Sequence, residues 1–145
     1  MEIKFKHKVS VPYEEAKKAF VDRNGKLLKF LIPLGVKLVH HKGIRRGAIT
    51  SVKIFGRKVT FKVVTYSTSK TKTTFNDILK EGNFYGIKFW SHRHFIEKSN
   101  DGTVIRDELN FTTKNKLYDS FLWLLLFDMF IWRSIKTKVF FFLNK

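Results

Sequence analysis

The sequence predicts an α+β fold in which one curved antiparallel sheet packs against a long C-terminal helix. Two patterns carry this prediction. Residues 35–113 are strand-like throughout, with turn residues at short intervals. Residues 116–145 place apolar side chains at helical spacings, with no Gly or Pro among them. A sheet and a helix of this kind bury their apolar faces most simply against each other, so a two-layer architecture is expected.

The chain begins with a predicted strand and two short helices. Residues 2–10 alternate apolar and Lys positions, with Ile3, Phe5, His7 and Val9 on the inward face. Pro12 is placed to open a helix, which Asn24-Gly25 would end. A second short helix is expected over residues 26–31.

Six further strands are predicted in the middle of the chain. They are expected near residues 35–41, 48–55, 58–68, 70–79, 85–97 and 103–112. Consecutive strands joined by short turns form an antiparallel meander. The sequence contains no internal repeat and no linker-like segment, so residues 1–145 are expected to form a single domain.

The C-terminal helix carries an apolar stripe that is expected to cover the sheet. The stripe comprises Leu117, Phe121, Leu124, Leu125, Ile131, Trp132, Ile135, Val139, Phe142 and Leu143. Asp128 lies within it, and a carboxylate that faces the interior must be hydrated, hydrogen-bonded or paired. We therefore expect a cavity beneath the helix with Asp128 as a polar anchor. Polar residues such as Arg133 are expected to face solvent, and Trp123, Leu126 and Phe130 to point away from the covering stripe.

The charge of the chain raises the question of an anionic partner. The sequence has 29 Lys and Arg against 12 Asp and Glu, a formal net charge of +17. Such a charge attracts nucleic acid and anionic membrane surfaces. No zinc-finger spacing, aromatic RNA-binding signature or basic recognition helix accompanies it, so nucleic acid is not the expected partner. The basic residues are spread along the whole chain, and a solvated surface is the simpler interpretation.

Several classes of protein are excluded by what the sequence lacks. Cysteine is absent, which removes disulfides and thiol chemistry. The longest apolar run, residues 121–127, is far shorter than the roughly 20 residues that cross a bilayer. No phosphate-binding loop, dinucleotide motif or nucleophile elbow is present. No secretion signal precedes the first strand, so a cytoplasmic location is expected, with peripheral contact to an anionic membrane as an open alternative.

The hairpin over residues 85–112 is predicted to carry the chemistry. Its inward face would hold Trp90, His92, His94 and Ile96 on one strand and Ile105, Asp107, Leu109 and Phe111 on the other. If the turn comprises the four residues 99–102, His94 lies directly opposite Asp107. This face is apolar at its ends and polar in the middle, as in many ligand pockets.

Three interpretations of His92 and His94 remain open from the residues alone. They are hydrogen-bonded interior side chains, or groups that orient a ligand or transfer protons with Asp107 fixing a tautomer, or metal ligands. A His-x-His pair near a carboxylate suits zinc, but the sequence offers only His7 as a further ligand. No metal is therefore expected.

A series of short motifs resembles the START-like (SRPBCC) superfamily, and within it the bacterial ligand-binding branch often labelled polyketide-cyclase-like. The motifs are Phe75-x-Asp77, Gly82-x-Phe84, Trp90-x-His92-x-His94, Asp101-Gly102-Thr103 and Ile105-x-Asp107. The segment Phe130-Ile131-Trp132-Arg133 matches the Phe-x-aromatic-Arg pattern of that branch's last helix. Ile78 departs from the pattern, which usually has an acidic residue after Asp77.

The resemblance implies a helix-grip fold, in which a seven-stranded antiparallel sheet wraps around the C-terminal helix over a hydrophobic cavity. Relatives bind lipids, quinones, sterols or polyketides, and a minority are enzymes. We accordingly expect non-enzymatic binding of a hydrophobic small molecule or lipid, without a cofactor and with the oligomeric state left open. The alternatives are a cyclase- or hydratase-type enzyme using His92, His94 and Asp107, and a basic adaptor at the membrane surface. The expected ligand-binding residues are Phe75, Trp90, His92, His94, Asp107, Leu109, Phe111, Asp128 and Trp132.

Overall fold

A seven-stranded antiparallel sheet and a long C-terminal helix form the framework of the protein, whose computed structural model describes residues 1–145. In chain order the elements are β1 (Glu2–Val9), α1 (Tyr13–Val21), α2 (Lys26–Leu31), β2 (Val36–His40), β3 (Ile49–Ile54), β4 (Arg57–Thr68), β5 (Lys72–Glu81), β6 (Phe89–Ser99), β7 (Gly102–Thr112) and α3 (Lys116–Leu143). The predicted order and type of every element are confirmed.

The sheet is a meander of six strands, β2 to β7, with β1 added beside β7 as an edge strand. Its order is β1-β7-β6-β5-β4-β3-β2, so β2 to β7 are neighbours in both sequence and space. β1 pairs with β7 through the register Phe5 opposite Asp107 and His7 opposite Ile105. Because side chains alternate across a strand, the inward residues of β1 lie beside those of β7.

The register of the β6–β7 hairpin is the one predicted from a four-residue turn. Ser99 pairs with Gly102, and His94 lies directly opposite Asp107. The inward residues of both strands are buried, apart from the half-buried Trp90. On the outer face Arg106 donates to Glu97 at 3.0 Å. The alternation of the sequence therefore fixes which side chains reach the interior.

A left-handed glycine separates the two short helices. Gly25 precedes α2 with φ of 61°. A Cβ at this position would lie 2.9 Å from Cδ2 of His41, so both the backbone angle and the contact require glycine. This turn brings α2 over the open end of the sheet.

The long helix α3 begins at a well-formed cap and packs two separate apolar clusters. The Oδ1 atom of Asn115 accepts from the backbone N–H of Leu117 at 2.9 Å. The buried residues of α3 are Asp119, Leu122, Leu126, Phe130, Ser134, Thr137 and Phe141. The first half of this face packs against one core cluster and Phe141 against the other. No helix of the protein is long and apolar enough to cross a membrane.

The predicted orientation of α3 is wrong. The stripe expected to cover the sheet faces outward: Leu117 is 81 % exposed and Leu124 63 %. Asp128, expected to face the cavity, is also exposed. Leu126 and Phe130, expected to point away, are buried, while Trp123 is half-buried and donates from Nε1 to the carbonyl of Glu2 at 2.8 Å.

The inner face of α3 is the less hydrophobic one because it must fit a polar patch of the sheet. Arg133 reaches inward to Asp107, with 3.2 Å between Nη1 and Oδ1. Ser134 and Thr137 are small, and each hydroxyl donates to the helix's own backbone at 2.8 Å. Helical spacing identifies residues that share a face, but it does not say which of two apolar faces turns inward.

Two neighbouring leucines test this orientation. Leu122→Ala removes a fully buried side chain, so it should lower the free energy of unfolding by about 2–5 kcal/mol. Leu124→Ala changes an outward side chain and should cost less than about 0.5 kcal/mol. Urea denaturation of the two variants measures both values. A larger loss in Leu124→Ala would contradict the observed orientation.

Candidate functional site

A cavity of about 310 Å³ lies between the sheet, α2 and α3. Of the 22 residues that line it, 15 are hydrophobic. These are Phe20, Leu27, Leu28, Leu31, Ile32, Ile44, Val52, Phe61, Val63, Phe75, Trp90, Leu126, Met129, Phe130 and Trp132. The side-chain functional groups among the remainder belong to His41, Thr50, Asp77, His92, His94 and Arg133. The cavity thus has mostly apolar walls and a localised polar floor.

The polar floor is built by a histidine cluster, which we define as Asp77, His92, His94, Asp107 and Arg133. Three adjacent strands and α3 supply these residues. Nε2 of His94 lies 2.8 Å from Oδ2 of Asp77, and Nε2 of His92 lies 3.0 Å from Oδ1 of Asp107. Each hydrogen bond joins one strand to the next, so the cluster ties the centre of the sheet together.

Asp107 is the centre of the histidine cluster. The residue is 1 % exposed, and its Oδ1 atom receives hydrogen bonds from His92 and Arg133. Nδ1 of His94 lies 3.0 Å from the same oxygen but is not aligned for a hydrogen bond. Oδ2 of Asp107 has no partner in the protein. A buried carboxylate is costly without such compensation, so Arg133 and the histidines must stabilise its charged form.

The carboxylates of the cluster are held ionised. Burial alone would raise the pKa of Asp107, but the Arg133 charge, the hydrogen bond from His92 and the nearby ring of His94 hold this pKa well below its usual range. Burial opposes ionisation of Asp77 as well, and the hydrogen bond and charge of His94 outweigh it, so the pKa of Asp77 is lowered. Both groups therefore carry a negative charge near neutral pH.

The two histidines are shifted in opposite directions. Burial and the neighbouring His94 charge lower the pKa of His92. Burial also acts to lower the pKa of His94, but Asp107 and Asp77 together outweigh it and raise this pKa above its ordinary value. Of the pair, His94 therefore favours the protonated form and His92 the neutral form. When His94 carries a proton, its charge and that of Arg133 balance the two carboxylates of the cluster.

The hydrogen bonds also fix the tautomer of His92. A carboxylate can only accept, so Nε2 of His92 carries the proton that it donates to Asp107. Its Nδ1 atom keeps a lone pair, makes no hydrogen bond within the protein, and belongs to a residue that lines the cavity. Phe75 stacks on His94 at 4.3 Å, and Phe130 packs edge-on to His92 at 5.4 Å, which holds both rings in place. The floor can therefore present a hydrogen-bond acceptor at Nδ1 of His92 and the N–H donors of Arg133.

The predicted site residues fall into three groups. Phe75, Trp90, His92, His94 and Trp132 line the cavity. Asp107 lies behind the histidines and holds them by ion pairs and a hydrogen bond. The other three predicted residues do not line the cavity, since two are sealed in the core and one faces solvent; they are Leu109, Phe111 and Asp128.

Two residues of the site were missed or misplaced by the sequence analysis. Arg133 was assigned to the solvent-facing side of α3, although its place in the Phe130–Arg133 motif was an available signal. His41 was not singled out from the basic residues assigned to a solvated surface, yet it is half-buried and lines the cavity. Nε2 of His41 donates to the carbonyl of Asp22 at 3.1 Å, and Nδ1 accepts from Thr50 at 2.9 Å. Nothing in the sequence distinguishes His41 from the exposed His40.

One trio within the cluster has the composition of a metal site. Asp77, His92 and His94 each offer a ligand atom, and these atoms lie within 4.8 Å of one another. However, each histidine already donates to a carboxylate, and Arg133 adds a positive charge beside them. Metal binding would have to replace the proton of His94 and work against Arg133. The trio thus fits a metal ion poorly, and the absence of a bound metal stays a prediction.

Removing the Arg133 side chain should destabilise the protein, because the buried negative charge of Asp107 would lose its guanidinium partner. We expect Arg133→Gln to lower the free energy of unfolding by about 2–4 kcal/mol, as for other broken buried ion pairs. Arg93→Gln is the matched control, because Arg93 forms a longer, exposed pair with Glu108 at 3.8 Å. It should cost less than about 1 kcal/mol. Equal losses in urea denaturation would show that Arg133 does not anchor the cluster.

His7 should make the protein less stable in mild acid. Burial lowers the pKa of His7 to about 4, and neither ring nitrogen has a partner. Below about pH 6.5 the unfolded chain binds a proton that the folded chain refuses, so stability falls as the pH drops towards 4. After allowance for partial exposure, the loss is roughly 1–3 kcal/mol.

The His7→Gln variant isolates this contribution. The difference in unfolding free energy between wild type and variant, measured at pH 7.5 and again at pH 4.5, should shift by that amount in favour of the variant. His94, whose pKa is raised, acts in the opposite direction but is present in both proteins. A difference that does not change with pH would contradict the shift at His7.

Comparisons with known proteins bear on the fold. No protein-family model matches the chain, and no curated protein matches it in sequence. Solved structures do match. Protein Ms6760 from Mycobacterium smegmatis has a TM-score of 0.70 at 10% identity, over 99% of this chain and 92% of that one. Ginseng major latex-like protein 151 from Panax ginseng has a TM-score of 0.66 at 12% identity, over 96% and 95%.

An enzyme is also among the similar structures. Norcoclaurine synthase from Thalictrum flavum, in complex with dopamine and hydroxybenzaldehyde, has a TM-score of 0.63 at 13% identity, over 97% of this chain and 86% of that one. Identities this low establish the architecture alone. The chain has the helix-grip fold of START-like and Bet v 1-like proteins, as its sequence resemblance predicted.

Proposed function

We propose that the protein binds a hydrophobic small molecule or lipid in the cavity between the sheet and α3. The observation that carries the proposal is the cavity itself, about 310 Å³ with 15 of its 22 lining residues hydrophobic. This volume is at the small end of the range for ligand sites, roughly 300–1,000 Å³. A compact ligand or a single acyl chain fits it better than a large one.

The histidine cluster supports a ligand with one polar end. An apolar body would lie against residues such as Val63 and Leu126, while a hydroxyl or carbonyl oxygen would meet His92, His94 and Arg133. The unprotonated Nδ1 of His92 accepts from a hydroxyl, and Arg133 has further N–H donors beyond the one directed at Asp107. Apolar burial supplies affinity and the floor supplies orientation.

The test is titration of the purified protein with a neutral apolar fluorophore, N-phenyl-1-naphthylamine. Wild type should bind it saturably. Val63→Phe fills the cavity and should weaken binding by at least about tenfold, since overpacking removes the space the probe occupies. Lys62→Phe is the matched control, because Lys62 precedes Val63 in a regularly paired part of the same strand, is exposed and does not line the cavity.

Circular dichroism melts establish that both variants fold, and native mass spectrometry of protein purified without organic solvent identifies any co-purified molecule. Unaltered binding by Val63→Phe, or no saturable binding by wild type, would reject the proposal.

A second candidate function is acid–base catalysis of the cyclase or hydratase kind. The geometry of His92 favours it, because its Nδ1 atom makes no hydrogen bond within the protein and belongs to a cavity-lining residue that can accept a proton from a bound ligand. His92→Gln separates the two candidates. A carrier would bind the co-purified molecule and return it unchanged in mass and chromatographic retention, whereas an enzyme would change one or both in wild type and not in this variant.

A further inference from the structure

The outer face of α3 exposes a continuous apolar band that nothing else in the protein covers. We define the outer band as Leu117, Phe121, Leu124, Leu125, Met129, Ile131, Trp132, Ile135, Val139, Phe142 and Leu143. Each of these side chains is between 39 % and 81 % exposed. At 100° per residue they occupy one side of a 28-residue helix, about 42 Å long. An apolar surface of this extent marks a contact with another protein or with a membrane.

The charges around the outer band favour a lipid surface. Lys136 and Lys138 lie at its two edges, and Lys116 and Lys145 lie at its ends. The whole chain carries a formal charge of +17. A helix with an apolar face edged by lysines, on a strongly basic protein, has the pattern of helices that lie in the interface of anionic membranes.

The mouth of the cavity opens within the same surface. Met129 and Trp132 of the outer band are exposed and also line the cavity, as do the half-buried Leu28, Leu31 and Ile32 from the α2 side, so the cavity reaches the surface beside the band. The next loop places Leu34 in solvent with 98 % of its surface exposed. A lipid surface that contacts the outer band would therefore also face the route into the cavity.

We propose that the outer band docks the protein reversibly on anionic lipid bilayers, with the cavity mouth towards the lipid. A second copy of the chain fits the band less well. A two-fold contact centred on the middle of α3 would bring two Asp128 carboxylates together in a dry interface, between two chains that each carry +17. In a membrane interface the same carboxylate stays among hydrated headgroups.

Asp128 limits how deeply the helix enters the bilayer. It is the one acidic residue within the angular range of the outer band. A carboxylate at hydrocarbon depth is costly, so α3 lies at headgroup level and binding remains reversible. Asp128→Asn removes this charge and should strengthen binding several-fold. If the gain persists at high salt, it reflects deeper apolar insertion. A gain that came only from weaker repulsion by anionic lipid would be lost at high salt.

The experiment is co-sedimentation with vesicles of phosphatidylglycerol and phosphatidylcholine, and with phosphatidylcholine alone, in low and high salt. Wild type should bind the anionic vesicles and retain a bound fraction at high salt, because screening weakens charges but not apolar insertion. The double variant Leu124→Gln/Ile135→Gln should bind about tenfold more weakly. Neither residue lines the cavity, and both are exposed, so the fold is preserved.

Phe89→Gln is the matched control. Phe89 is 51 % exposed but lies on the opposite face of the sheet from Trp90, which lines the cavity. It should bind vesicles as wild type does. Asp128→Asn provides a second, independent readout as a gain of salt-resistant binding.

Two results would overturn the proposal. If binding vanishes at high salt and the double variant matches wild type, the charge alone attracts the protein. If light scattering shows a dimer that the double variant dissociates, a second copy covers the outer band. The N-phenyl-1-naphthylamine titration is read separately in each variant, so a failure of docking is distinguished from a failure of cavity binding.

Discussion

The buried charge of Asp107 is the constraint on which the rest of the structure depends. One carboxylate at 1 % exposure needs positive partners, and they arrive from two directions: histidines from the neighbouring strand and Arg133 from α3. Pairing the Asp107 charge with Arg133 fixes the rotation of α3 about its own axis, because Arg133 must then face the sheet. That rotation turns the polar and small residues of the helix inward and the more apolar residues outward. The polar floor of the cavity and the apolar outer band thus have one origin.

The same constraint explains why the cavity is not simply filled by side chains. Arg133 enters from the helix side and His92 and His94 from the sheet, and these polar groups cannot be packed over with hydrocarbon at no cost. Phe75 stacks on the ring of His94 and Phe130 packs edge-on to that of His92, and both histidines still line the cavity. The site is accordingly rigid where it is polar and spacious where it is apolar, a combination that orients a ligand without demanding one particular shape.

The sequence was sufficient for the architecture and for half of the site. Alternation in β6 and β7 identified the inward face, and the turn at residues 99–102 set His94 opposite Asp107. It could not give the orientation of α3, because both faces of its first half are apolar and the periodic signal is the same for either. Asp128 was consequently predicted to lie in the interior and Arg133 on the surface, the reverse of what the structure shows. The burial of His41 could not be predicted for another reason. It depends on contacts with Gly25 and Thr50, and no local sequence pattern links either residue to His41.

The pairing of β1 with β7 has a consequence for the order in which the chain folds. Strands β2 to β7 pair with sequence neighbours, so they can assemble with little loop-closure entropy. β1 must wait for a strand about a hundred residues later, and β1 also forms part of the bed on which α3 rests. On a ribosome, β1 therefore remains unpaired until β7 has been made and has emerged. During that interval its alternating lysines help to keep it from pairing with another nascent chain, and they do the same in the finished fold, where β1 is an edge strand of the sheet.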